Sequence, residues 1–480
     1  MWIGDLIRKV LRKLLPQNSI EKELSVEVVT SGAMEQALKI WIEMYNNVPY
    51  WKGEGSIALN IPAAISTEFS RLILTEFSIL CEGSAEADFI HEQIKKRLSD
   101  LPDYVEKYAA YGGIAIKPYV TDIGEDGKPQ SINLDFVLAD DFYPTAFDSN
   151  GRITAAVFVQ TKKSGNRLYT RLEYHVLEGT TYTVTNKAYE SEEVSNYLDQ
   201  NMFTVKDRFH RQIPLADIPE WAGLSEEPVV IEGIEKPLFV YIKTPIGNNI
   251  DTGSPIGVSV YSRAVEAIRE ADKQYGRLIW EYDATEAAIF ADSSLFEVDR
   301  RGNPILPEGE ERKYITFPMD MTGKSELLKP YSPAIRDASI VAGFNRHLQT
   351  IELNCGLAYG TLSDPKVVTK TATEIKMSKD RSYRTVSLMQ GAWDNGLHDL
   401  VDAMRTLIHL YEIVPEGNVE VTCTWGDGVL EDPEAEYNRR WAWVQAGRYK
   451  PELFFAWYLG CSVEEAKEMM PDVTEFPSEE

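Results

Sequence analysis

Apolar and polar positions alternate with two clearly different periods along this chain. The longest helical pattern lies between residues 332 and 411. Ile340, Phe344, Leu348, Ile351, Cys355, Ala358 and Leu362 recur three or four apart, which predicts one helix. Ser332-Pro333 offers it an N-cap and a proline in the first turn. A loop, Ser363 to Lys370, breaks the pattern at Pro365. Thr371-Ala372-Thr373-Glu374 then reads as a capping box that restarts it. Val386, Met389, Trp393, Leu397, Leu400, Met404, Leu407 and Tyr411 form the stripe of a second helix. At ~1.5 Å per residue it spans roughly 55–60 Å, long enough to cross a large assembly or bridge two domains.

The N-terminal quarter is also helical in pattern, over 34–45, 62–74 with Asn60 as cap, and 104–111 ending at Gly112-Gly113. Ile114 to Val120 then alternates as a strand. Residues 130–245 continue as a meander, with strands at 132–137, 154–159, 168–176, 182–189 and 239–243. Asn248 to Gly253 is a polar linker. Ser254-Pro255 has the signature of another helix start. Val258, Tyr261, Val265, Ile268, Tyr275, Ile279 and Tyr282 fall on its narrow apolar stripe, with charges elsewhere. Residues 288–331 read as a short β insertion, strand-like at Phe290, 295–298 and 314–317, with a turn at Arg300-Arg301-Gly302-Asn303-Pro304. Two helices of similar length flank it, like stalks carrying a small head. The tail predicts three helices, at 434–446, 451–459 and 463–470.

Composition narrows the function classes. The chain has 480 residues, 44% hydrophobic, with a formal net charge of −26. Such a charge argues against a broad basic face that wraps nucleic acid, but suits a surface that passes nucleic acid without gripping it. Cys81, Cys355, Cys423 and Cys461 have no paired spacing, which suits a reducing compartment and no zinc site. No apolar run reaches the ~20 residues of a membrane span. Met1 to Pro16 forms a basic amphipathic helix, either docking on a neighbour or lying on a membrane surface.

No catalytic constellation emerges, and no cofactor is implied. There is no phosphate loop, nucleophile elbow or paired-histidine metal motif. Gly426-Asp427-Gly428 reads as a turn. One local charge reversal stands out. Between Ser363 and Arg384 the lysines and arginines outnumber the acids six to three. This is either a solvated helix start or a loop offering lysines to a phosphate backbone.

The order of these pieces resembles the portal proteins of long-tailed double-stranded DNA phages. The resemblance is carried by Asn60-Ile61-Pro62-Ala63-Ala64-Ile65 and by Tyr111-Gly112-Gly113-Ile114-Ala115-Ile116-Lys117-Pro118-Tyr119. It continues through Gly253-Ser254-Pro255-Ile256-Gly257-Val258-Ser259, the β insertion and Thr371-Ala372-Thr373-Glu374-Ile375. It implies an α+β portal fold: an α/β wing over 1–253, a stem from 254–287 and 333–362, a clip over 288–332, a tunnel loop over 363–371, a long helix and wing return over 372–430, and a helical crown over 431–480. It further implies a ring, usually of twelve subunits, at one capsid vertex of the virion, assembled in the host cytoplasm. Double-stranded DNA would pass through its channel beside Lys366, Val367, Val368, Thr369 and Lys370. The clip, with Arg300, Arg301, Glu310, Glu311 and Arg312, would dock the terminase motor and later a head-completion or adaptor protein. Major capsid or scaffold protein would surround it, and the ring itself would have no catalytic residue.

A different class stands beside this one. With 11% aromatics and 75 acidic residues, the chain has the composition of an acidic glycoside hydrolase using a carboxylate pair. The clustering of strands, without strand–helix alternation, disfavours a barrel.

Overall fold

The structure is a computed structural model. It describes residues 16–53, 57–124, 128–164, 167–194, 204–205, 209–286, 288–301, 303–306, 314–317, 328–331, 334–364, 372–426, 433–459 and 463–469. The fold is α+β. The N-terminal helices are α1 (Pro16–Leu24), α2 (Gly32–Tyr45) and α3 (Ile61–Ile73). Strand β1 (Ser78–Glu82) leads into α4 (Ala85–Lys95) and α5 (Leu101–Tyr111). Ser31 and Ser84 cap α2 and α4 by accepting from the amides of Met34 and Ala87, each at 3.3 Å. Asn60 does stand at the cap position of α3, but with φ 58° and no side-chain bond to the helix. Its value there is the left-handed turn that aims Pro62 into the first turn.

The strands that follow are β2 (Gly113–Ile123), β3 (Pro129–Leu138), β4 (Phe142–Phe147), β5 (Ile153–Ser164), β6 (Arg167–Glu178), β7 (Thr181–Val194), β8 (Thr204–Val205), β9 (Arg211–Ile213), β10 (Val229–Glu232) and β11 (Val240–Lys243). They build two antiparallel sheets. One runs in the order β11-β2-β3. The other runs β10-β7-β6-β5-β4, with β8 and β9 also paired to β7.

The expected helix start at Ser254-Pro255 is not there. Helix α6 begins ten residues later, at Val265–Ala284. The local signal loses to long-range backbone bonds. Val260 N–H donates to Ala109 O at 3.0 Å, and the Thr244 hydroxyl donates to Val258 O at 2.6 Å. The segment 256–260 therefore lies extended across the end of α5, with Ile256, Val258 and Val260 buried. This crossing needs glycine. Gly112 has φ +88°, and a Cβ on it would sit 2.6 Å from the Val258 carbonyl carbon. A Cβ on Gly257 would overlap the Gly112 oxygen.

After α6 comes a small sheet of β12 (Ala288–Asp292), β13 (Tyr314–Phe317) and β14 (Leu328–Tyr331), ordered β13-β12-β14 with β12 and β13 parallel. Ser293–Leu295 is a short 3-10 turn where a strand was expected, and Val298 bridges to Pro304 around the expected turn. Helix α7 is Asp337–Cys355, shorter at both ends than the periodicity predicts. Ser332 and Pro333 lie outside the described residues, and Gly356 ends the helix with φ +77°.

Helices α6 and α7 pack as an antiparallel hairpin. Asn354 reaches Arg263 O at 3.3 Å, Gln274 reaches Ile340 O at 3.3 Å, and the Tyr275 and Phe344 rings are 5.7 Å apart. At the sheet end, Glu281 closes the hairpin with two oxygens on Arg336: Oε2 accepts from Nη2 at 2.7 Å and Oε1 from Nε at 3.0 Å.

Helix α8 (Ala372–Tyr411) has 40 residues, so it is about 60 Å long. Val386, Met389, Trp393, Leu397, Leu400, Met404 and Leu407 are buried in the main core, as their spacing predicts. They pack on α3, α4, β2 and β11. Trp393 meets Tyr108 edge-on at 5.3 Å. The far end is tied by Glu86, fully buried, which accepts from Arg405 at 3.0 Å and from Gly417 N–H at 2.8 Å and bonds His409 at 2.9 Å. Strand β15 (Glu420–Thr424) then pairs with β1, a two-stranded sheet closed between distant parts of the chain. The tail carries α9 (Pro433–Gln445), α10 (Pro451–Leu459) and α11 (Val463–Met469); edge-on and tilted ring contacts of Tyr437 and Trp441 with Phe454 and Tyr458 join α9 to α10.

Two glycine substitutions should have opposite signs. Gly257→Ala forces a methyl into the Gly112 carbonyl and should destabilise by about 1–3 kcal/mol or more. Gly391→Ala, in the interior of α8 with nothing within 4 Å of its Cβ, should stabilise by about 0.5–1 kcal/mol. Calorimetric melting of both variants checks this, and equal melting temperatures would contradict the crossing.

Candidate functional site: the loop ahead of the long helix

Lys366, Val367, Val368, Thr369 and Lys370 lie outside the described residues, as does Thr371. So do Glu310, Glu311 and Arg312. Arg300 and Arg301 are described and exposed, in the turn beyond β12. There Asp299 Oδ1 accepts from the amides of Arg301 and Asn303, each at 2.8 Å. The structure therefore defines the candidate loop by what holds its two ends.

The leading end is held by a buried carboxylate. Glu352 sits in the last turn of α7, on the buried side, and is fully shielded. Its Oε1 accepts from the amides of Gly360 (3.1 Å), Leu362 (2.6 Å) and Ser363 (2.8 Å). Its Oε2 accepts from the Ser363 hydroxyl at 2.8 Å. Two turns earlier on the same helix, Asn345 Oδ1 accepts from the Asp364 amide at 2.8 Å. A buried carboxylate is tolerated only with donors of this kind, so the turn 360–364 and the helix side chain fix one another. Gly360 supplies the φ of +89° that lets the turn fold back onto Glu352.

The trailing end is held by packing. The Arg381 guanidinium lies over the Tyr359 ring, 5.5 Å from its centroid. Thr385 presses against the end of α7, where a Cβ on Gly356 would come within 2.6 Å of its Oγ1. Ser382 and Val386 are buried one turn on. Of the basic residues singled out in the sequence, Arg384 is exposed and pairs with Asp380 at 2.9 Å. The side chains of Lys376 and Lys379 are not among those described. The segment 365–370 thus leaves a clamped turn and enters a clamped helix.

A second polar cluster lies between the two sheets. Glu173 on β6 takes Lys117 from β2, Arg171 Nη2 at 2.9 Å and His175 Nε2 at 2.9 Å, and His175 Nδ1 meets Tyr182 Oη at 2.7 Å. Burial alone would raise the Glu173 carboxyl, but Lys117, His175 and Arg171 outweigh it and hold it well below the usual carboxylate range. Burial pushes His175 below the ordinary imidazole value, against the pull of Glu173. All these side chains are packed, and Lys117 Nζ lies 4.9 Å from the centre of the Phe158 ring. The cluster ties β2 to β6, and so the two sheets to each other. Among the described residues no group of three or more His, Cys, Asp or Glu side chains is gathered to hold a metal, and no helix is long and apolar enough to cross a membrane.

Compared with known families, residues 99–447 match the family described as phage portal protein, SPP1 Gp6-like. That is more than half of the chain. The chain belongs to the phage portal proteins. The portal protein is accordingly a structural component of a bacteriophage virion and a capsid-associated oligomer. Portal proteins are a structural, non-enzymatic family. No curated protein matches the chain.

Sequence reasoning missed Glu352, Asn345 and Ser363, because their partners are backbone amides with no sequence signature. Glu352 did leave a trace, as an acid beside Ile351 within the apolar stripe of α7. Lys117 left a clearer one, a lone cation inside Ile114–Val120.

Glu352→Ala should leave the portal protein folded while speeding amide hydrogen exchange of residues 360–363 by on the order of 10-fold or more, since each orphaned donor loses ~1–3 kcal/mol of support. Unchanged protection of this turn would refute the anchor. A pH series tests the sheet cluster. Both Glu173 and His175 bind protons less readily folded than unfolded, so stability rises with pH. It should fall as pH drops below the ordinary histidine value of 6.5, and again below the ordinary glutamate value of 4.5. Chemical denaturation of His175→Gln should lack the first fall and keep the second.

Proposed function

We propose that this portal protein forms a closed ring at one capsid vertex and conducts double-stranded DNA through its centre, during both packaging and ejection. The hairpin of α6 and α7 forms the stem, within 254–287 and 333–362. The small sheet and its turn, within 288–332, form the clip. The clip docks the terminase motor first and a head-completion or adaptor protein later, with Arg300, Arg301, Glu310, Glu311 and Arg312 as contact residues. Residues 363–371 form the tunnel loop. The N-terminal α/β region and α8 form the wing, bordered by major capsid or scaffold protein, and 431–480 form the crown. Twelve subunits is the expected number.

The observation that carries this reading is the clamped passage from α7 to α8. A loop held at both ends, between a two-helix stalk and a 40-residue helix, suits a part that must meet moving DNA without unravelling. Its lysines supply cations that track phosphates, and the net charge of −26 keeps adhesion weak elsewhere.

Lys366→Ala and Lys370→Ala should leave assembly intact and alter the length or retention of packaged DNA. Packaging assays with particle DNA sized on gels check this. Wild-type DNA length and retention in both variants would remove the loop from the channel.

A further inference from the structure

The two outward faces of the α6–α7 hairpin differ in a way that assigns them to each other in neighbouring copies. On α6, the face turned away from α7 carries Trp280, which is 64% exposed, beside Gly276, whose Cβ would meet nothing within 4 Å. A large aromatic standing free next to a helix glycine is a knob beside a hollow. Both features are unfavourable in isolation: the glycine weakens the helix, and the indole is left in water. On α7, the opposite outward face is small and nearly uncharged. Ser339 and Ala342 are exposed there, between exposed Ile335 and Leu353. Arg346 is the one lysine or arginine of that helix.

The two faces also agree in height. The contacts Arg263–Asn354, Gln274–Ile340 and Glu281–Arg336 set the antiparallel register. By that register Trp280 lies level with residues 336–339, and Gly276 level with Val341 and Ala342. Arg346 lies level with Glu270. A ring whose axis runs along the hairpin brings surfaces of equal height together, and a head-to-tail interface requires two different, complementary faces on one chain. We propose that Trp280 of one copy seats on the Ser339–Ala342 face of the next, with Arg346 of that copy facing Glu270. This rests on the stem reading above.

The full chain tests it. Gly276→Cys with Ala342→Cys, treated with a short bis-maleimide, should give a ladder of covalent multimers on denaturing gels. With Cys461 replaced by Ser in every chain, the parent and each single variant should give none, because the remaining Cys81, Cys355 and Cys423 are buried or half-buried thiols that burial makes harder to ionise. Trp280→Asp should weaken assembly on the order of 10-fold or more by light scattering, as an interface tryptophan does. Wild-type assembly with no ladder and no effect of Trp280→Asp would overturn the interface and leave the portal reading standing. A dimer from Gly276→Cys alone would overturn it in favour of two-fold pairing. A wild-type chain that stays at 54.3 kDa would overturn both.

Discussion

The apolar stripe of α8 holds the molecule together. Over Val386 to Ile408 it is buried against helices α3 and α4 and strands β2 and β11, in the largest core of the protein. A helix of this length gains little from propensity alone; its stability comes from burying one face. Because that face is fixed, the helix transmits position along its length. Glu86 pins its far end to α4, and Gln390 pins its middle to Ile73 O at 3.3 Å. Its N-terminal turns then become a fixed point from which a loop can be presented.

The other side of that loop depends on electrostatics. Glu352 is buried where a charge would be unfavourable, and the turn 360–363 supplies the four donors that offset this. Removing either partner leaves the other unsatisfied. The helical hairpin and the long helix share the main core, through Ile268, Ile351, Cys355, Val386 and Met389, and the turn adds a polar anchor at the end of that shared core.

Much of this was legible in the sequence wherever the determining forces are local. The long helix followed from its 3.6-residue period and the meander from alternation. Other features were set by distant partners. Ser254-Pro255 has every local mark of a helix start, yet Ala109 and Thr244 take the backbone groups of Val260 and Val258 first. Strand β1 escaped notice because it is short and finds its partner, β15, far along the chain. The anchoring role of Glu352 could not be read, since a carboxylate that accepts from backbone amides looks like any other glutamate. Clusters such as Lys117 with Glu173 are visible only as a charge in the wrong place.

A chain that closes into a ring around DNA has a ring's mass in solution, which light scattering of the purified portal protein across salt and concentration would read. The expected result is a discrete species of about a dozen subunits of 54.3 kDa. A single subunit mass under every condition would contradict it.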